Sequence, residues 1–286
     1  MVIGVNRGAL SRACPARGKS VAFSRRGTLL LAMTIGLSFA AADAVAARIR
    51  LQVETPDGPE FYVYLARPVG LAVDSPIVIA VPDAAAPVKA QLSDWYPLAE
   101  AHEFLVAVPE LPFPAVATGA VLDAIFATVR GRFGMTADRF SVYGHAAGAH
   151  YVQQSLLLQP QPQVARVVLA APDSYTLPDF ELPPPQGLAG TAVTPEQLRR
   201  YLQIALTVLF GDEDRGPETE GDPITPGAAG EVLLRFAEGE AFLAAGRTAA
   251  ARMEVPFGWR LVTVPGAGDV NRELACAAVP YLLGEM

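Results

Sequence analysis

The chain has 286 residues, of which 51% are hydrophobic and 18% charged, with 22 Lys and Arg against 29 Asp and Glu. That is ample apolar material for one large core or two small ones, and it excludes a disordered or fibrous chain. The acidic balance of −7 excludes the broad basic face that nucleic acid or an anionic membrane surface would require.

Residues 1–46 read as a targeting segment, a twin-arginine-type signal peptide, and are set aside from fold reasoning. Arg7, Arg12, Arg17 and Lys19 precede Ser24-Arg25-Arg26-Gly27-Thr28-Leu29-Leu30, which resembles the export signature Ser-Arg-Arg-x-x-Leu-Leu. An apolar run from Leu29 to Ala41 follows, then small-residue cleavage sites at Ala42-Asp43-Ala44 or Ala44-Val45-Ala46. The run is shorter than the roughly 20 apolar residues of a spanning helix, so cleavage is expected in preference to an uncut anchor. The expected product is periplasmic or secreted, without a membrane or nucleic-acid partner. The leader would take six of the 22 basic and one of the 29 acidic residues with it, leaving 16 basic against 28 acidic. With Cys14 gone, Cys276 would be alone. No intramolecular disulfide is then expected, and Cys276 reads as a small packing residue rather than a nucleophile.

From residue 47 onward, β-rich runs alternate with helical stretches, the pattern of a mostly parallel sheet covered on both faces. Arg48 to Val53 and Glu60 to Arg67 are expected to pair through the turn Thr55-Pro56-Asp57-Gly58. Pro76 to Val81 is a continuous apolar run, as suits a strand buried on both faces. A helix over Ser93 to Glu103 is followed by a strand over Phe104 to Pro109 and a long helix over Ala115 to Phe133. Trp95, Tyr96 and Leu98 read as core or pocket-wall residues. Phe140 to Tyr143 enters a Gly-rich turn, and a helix runs from Ala147 to Leu158. Strands at Ala165 to Ala170, Ile204 to Phe210 and Gly258 to Val264 bring the count to eight, and a helix over Asn271 to Leu283 closes the chain. Residues 172–195 and 212–230 are rich in Pro, Gly and acid. They are expected to be loops over the carboxyl ends of the strands, where open α/β sheets bind ligands, or else plain surface loops.

The chemistry-bearing stretch is Tyr143-Gly144-His145-Ala146-Ala147-Gly148-Ala149. A strand, then Gly-x-x-x-Gly, then a helix is the layout of a nucleophile elbow, whose glycines permit a tight strand-to-helix turn. With Leu209-Phe210-Gly211-Asp212-Glu213-Asp214, the helix around Gly239 to Ala251 and Pro256-Phe257-Gly258-Trp259-Arg260-Leu261, this stretch resembles exported esterases of the α/β-hydrolase superfamily, of the polyhydroxybutyrate-depolymerase-like type, over about residues 49–284. The resemblance implies one α/β-hydrolase domain over 47–286, an eight-stranded mostly parallel sheet with helices on both faces, and a triad in the order Ser, Asp, His.

Against that pattern the chain departs three times. Ala146 stands where the serine belongs, and a methyl group cannot attack a carbonyl. Pro265-Gly266-Ala267-Gly268-Asp269 puts Asp269 where the resemblance implies histidine. His102, His145 and His150 are the only histidines, and all precede Asp214, the residue matching the triad acid. After the strand ending at Val81, Pro82-Asp83 replaces His-Gly, removing a backbone donor from the oxyanion region and adding a carboxylate that would repel an oxyanion. No intact catalytic set is therefore expected. Pro82, Asp83, His145, Ala146, Ala147, His150, Asp214 and Asp269 are the candidate pocket residues. For His145 the competing reading is packing or hydrogen bonding, and for His150 a surface or capping role. Asp212 reads as a loop cap, and Asp214 as a remnant serving backbone donors. Should Asp83, Asp214 and Asp269 converge on one pocket, one would stay protonated or a cation such as calcium would sit among them, whereas solvated loop-end carboxylates would form no site. The functional expectation is a non-catalytic protein that binds a small ligand or a protein partner without a cofactor or metal. The alternative is an esterase or depolymerase-like hydrolase with non-standard catalytic residues, such as water activated by Asp214 or Asp269.

Overall fold

The computed structural model describes residues 2–4, 47–55, 60–111, 119–159, 162–212 and 226–286. In chain order the strands are β1 (Val2–Gly4), β2 (Ala47–Val53), β3 (Phe61–Arg67), β4 (Ile77–Val81), β5 (Leu105–Glu110), β6 (Phe140–His145), β7 (Val164–Ala170), β8 (Ala205–Gly211) and β9 (Trp259–Val264). The helices are α1 (Val88–His102), α2 (Gly119–Phe133), α3 (Ala147–Leu158), α4 (Pro195–Gln203), α5 (Pro226–Arg252) and α6 (Asn271–Leu283). They build one sheet in the order β1-β9-β8-β7-β6-β4-β5-β3-β2. β3 is antiparallel to both its neighbours, β2 and β5, and every other pairing is parallel. The eight strands from β2 to β9 are the α/β-hydrolase sheet; β1 adds three residues beside β9.

Alternation within the strands creates a core on each face. In β4, Ile77, Ile79 and Val81 belong to one apolar cluster, and Val78 and Ala80 to the other. β8 divides the same way, with Leu206, Val208 and Phe210 on the first face and Leu209 on the second. The first face is covered by Leu122, Ile125 and Phe126 of α2, Val152 and Leu156 of α3, Leu198 and Tyr201 of α4, and Phe242 of α5. On the second face Trp95 and Leu98 of α1 pack with Leu274, Ala278 and Val279 of α6. Trp95 is fully buried and meets Tyr143 edge-on at 4.8 Å.

The described elements differ from the sequence reading at α1, at α4 and at α5, whose first turns from Pro226 lie inside the stretch 212–230 read as a loop. α1 starts five residues before Ser93 and runs through Pro97, since Gln91 and Leu92 in its first turns are buried against the fold. α4 lies where the sequence reading stopped at a Pro-rich loop. Pro195 occupies its first turn, Thr194 Oγ1 accepts from the Gln197 amide at 3.2 Å, and Gln197 Oε1 accepts from the Thr194 amide at 2.6 Å, a capping box that satisfies both ends of the turn. In the full chain Cys276 is disulfide-bonded, with its partner outside the described residues; the expectation of a lone Cys276 concerns the chain without its leader. Among the described residues no helix is long and apolar enough to cross a membrane.

Candidate functional site

β6 ends at His145 and α3 begins at Ala147, leaving Ala146 alone to turn the chain. It does so at φ 49° and ψ −118°, a region L-residues avoid, at a cost of order 1–3 kcal/mol. The turn is tied down on both sides. The Ala146 amide donates to the Ala170 carbonyl of β7 at 3.0 Å, and the Ala146 carbonyl accepts from the amides of Ala149 (2.9 Å) and His150 (3.3 Å). Both glycines are required by contact. A Cβ on Gly144 would stand 2.6 Å from Ala149 Cα, and one on Gly148 would stand 2.3 Å from the Pro82 carbonyl oxygen. The backbone is thus a complete nucleophile elbow carrying a methyl group, and Ala146 is only 6% exposed.

Around the elbow the polar side chains form a network that the sequence could not reveal. His145 Nε2 lies 2.9 Å from Asp269 Oδ1, as a donor to that carboxylate, with the His145 side chain 8% and the Asp269 side chain 27% exposed. Tyr143 donates to Asn271 Oδ1 at 3.1 Å, and Asn271 Nδ2 donates to Asp94 Oδ2 at 2.8 Å. Burial, and then the negative charges of Asp269 and Asp94, push the Tyr143 hydroxyl well above its ordinary range, so it stays a proton donor. The loop carrying Asp269 is held by Asp212, whose carboxylate accepts from the Gly266 amide, and by Gly211, whose missing Cβ lets Ala267 approach the end of β8.

One turn into α3, His150 faces the loop after β7 and hydrogen-bonds through Nδ1 to Ser174 Oγ. Burial pulls His150 below its ordinary value of 6.5, so it is neutral at pH 7. Its Nε2 is buried with no hydrogen-bond partner among the described residues. A cavity of about 350 Å³ opens here, lined by His150, Ser174, Tyr175, Leu177, Gln186 and Glu238 with Pro185 and Ala241. The size is at the small end of the range of roughly 300–1,000 Å³ usual for ligand sites. Tyr175 is fixed by stacking on Phe242, with centroids 4.8 Å apart, and by Gly239, where a Cβ would come 3.2 Å from its hydroxyl oxygen.

The structure therefore separates the predicted site residues into groups. Ala146, Ala147 and His145 form the elbow, and Pro82 packs its carbonyl against α3 beneath it. Asp269 joins His145, while Asp83 turns the chain after β4 by accepting from the Ala86 amide at 3.2 Å through its carbonyl oxygen. His150 belongs to the neighbouring cavity, and Asp214 lies outside the described residues. Among the described residues no three His, Cys, Asp or Glu side chains are grouped to hold a metal ion. Ser174, Tyr175 and Glu238 were missed by the sequence reading. The only signal for the first two was their place in a Pro-rich loop at a strand's carboxyl end, and Glu238 had none.

No protein-family profile matches the sequence, and no curated protein matches it. Solved structures do. The chain is similar to poly(aspartic acid) hydrolase-1 from Sphingomonas sp. KT-1, with TM-score 0.74 and 23% identity over 84% of this chain and 99% of that one. It is similar to the poly(3-hydroxybutyrate) depolymerase LpqC from Bordetella parapertussis, with TM-score 0.71 and 28% identity over 84% and 91% of the two chains. A putative dienelactone hydrolase from Klebsiella pneumoniae aligns more loosely, with TM-score 0.52 and 16% identity over 84% and 100%. Strand order, elbow and these likenesses agree, and the chain has the α/β-hydrolase fold of esterases and depolymerases.

Proposed function

We propose that this chain is an exported binding protein that keeps the elbow and adjoining cavity of a hydrolase but performs no acyl transfer at the elbow. The observation that carries this reading is Ala146, which holds the strained nucleophile conformation with only a methyl group on it. Two features support it. Asp269, at the position where the resemblance implies a histidine base, is a carboxylate engaged with His145. Pro82 has no amide proton to offer an oxyanion, and one such donor is worth about 3 kcal/mol of transition-state stabilisation. The ligand is a small molecule or a segment of a protein partner, the reading needs no cofactor, and export follows from the twin-arginine motif at Ser24 to Leu30.

A second reading has a specific observation behind it. Ser174 Oγ touches the neutral imidazole of His150, so a hydroxyl and a base do meet beside the elbow, in a fold whose neighbours include hydrolases. An assay of purified protein with short-chain p-nitrophenyl esters and polyhydroxybutyrate granules decides between the two. The expected result is no turnover above buffer for the natural chain or for Ala146→Ser, whose hydroxyl would have no histidine to activate it. Turnover that Ser174→Ala abolishes would overturn the binding reading and establish the second.

A further inference from the structure

We propose that the cavity beside the elbow is a site for an organic ammonium ion with a small apolar or aromatic body. The inference rests on the binding reading and names the ligand class. Glu238, on the exposed face of α5, is the formally charged side chain among the described lining residues, and no Lys or Arg is among them. Among the described lining residues the charge is therefore negative, in a domain where acidic residues far outnumber basic ones. An anion would meet the Glu238 carboxylate with nothing to balance it, and a cation would find its counter-charge at the mouth.

Inside, the polar groups are the His150 imidazole, the Gln186 amide and the hydroxyls of Ser174 and Tyr175, each of which can offer an acceptor to a cation. With the imidazole proton on Nδ1 and donated to Ser174 Oγ, the lone pair of His150 Nε2 is a buried acceptor without a partner among the described residues. Leaving such an atom unsatisfied costs stability, and an ammonium N–H supplies what it lacks. Because His150 is neutral, it does not repel the cation. Gln186, also in the lining, carries an amide oxygen that can accept as well as an NH2 that can donate. The rest of the lining suits an apolar body. Leu177, Pro185 and Ala241 are aliphatic, and the Tyr175 ring, immobilised against Phe242 and Gly239, presents a π surface of the kind that attracts cations.

The test uses the purified full chain and three probes with one phenyl-containing body: phenethylamine, cationic at neutral pH, 2-phenylethanol, neutral, and phenylacetate, anionic. Calorimetric titration is expected to show saturable phenethylamine binding roughly five- to tenfold tighter than 2-phenylethanol, the margin of one charge-assisted contact, and none for phenylacetate. Glu238→Gln is expected to bring the amine down to the level of the alcohol, and Ala241→Trp, which fills the mouth, to abolish binding of both. Equal affinity for amine and alcohol, unchanged by Glu238→Gln, would overturn the charge selection and leave the binding reading standing. Binding that survives Ala241→Trp, or no binding by any probe, would overturn the site itself. Ester turnover is read in a separate assay and alone decides whether the chain is a binding protein or an enzyme.

Discussion

Gly148→Ala tests directly whether the elbow is packed as described. The added Cβ would lie 2.3 Å from the Pro82 oxygen, 2.5 Å from the Val81 oxygen and 2.9 Å from the Pro82 carbonyl carbon, all backbone atoms at the end of β4. Close carbon-to-oxygen contacts lie nearer roughly 3.3 Å, so α3 would have to retreat about 1 Å from the strand. A close-packed interior resists that, and overpacking costs about 1–3 kcal/mol. Three backbone contacts on a strand buried along its whole length put this site at the upper end, partly offset by the better helix propensity of alanine, for a net loss of about 2–3 kcal/mol. For a domain of this size that is a fall in midpoint of about 4–12 °C by circular dichroism. The control is Gly131→Ala in α2, where a Cβ meets nothing within 4 Å. It should gain about 0.5–1 kcal/mol. A Gly148→Ala midpoint at or above the parent's, or an equal fall in the control, would refute the packing argument.

Three further outcomes are expected. Asp269→Ala should lose about 1–3 kcal/mol in urea unfolding because His145 Nε2 is left without its acceptor, and Asp269→Asn, which keeps an acceptor oxygen, should lose less; equal effects would show that the hydrogen bond carries none of the loss. His150 has its folded-state value lowered by burial, so as pH falls below 6.5 the unfolded chain takes up the proton first and the native state loses stability until the folded value is passed. The slope of unfolding free energy between about pH 7 and pH 5 should flatten in His150→Gln, and an unchanged slope would count against a buried neutral His150. Replacing Arg25 and Arg26 together by Lys should abolish export in a cell-fractionation blot, and continued export would remove the twin-arginine reading.

The architecture was legible because its signals are local. Ile77 to Val81 is apolar at every position, and Gly144 and Gly148 bracket a strand-to-helix junction, so strand, turn and helix follow from neighbours in sequence. α4 was as legible as these, since Thr194-Pro195 with Gln197 marks a helix start, but the prolines before it drew the reading toward a loop. The site was harder. That Ala146 lacks a nucleophile is a fact of one residue, whereas the pairing of His145 with Asp269 depends on sheet register bringing together positions 124 apart. Ser174 and Glu238 meet the cavity from a loop and a helix with no shared periodicity, so spacing could not have grouped them.

The outer edge of the sheet bears on strand addition by other chains. Among the described residues β2 pairs with β3 alone, and its other side presents a row of amides and carbonyls without a described partner strand, the template on which foreign strands add and fibrils grow. Arg50, exposed in the middle of that strand, lies over the Tyr62 ring at 3.3 Å, fixing a cation on the outermost strand. At the far end of the described sheet Arg260 stands over Tyr281 at 5.4 Å on β9, the strand that pairs with β1. An incoming strand on β2 would have to bury the Arg50 charge, so this boundary resists strand addition.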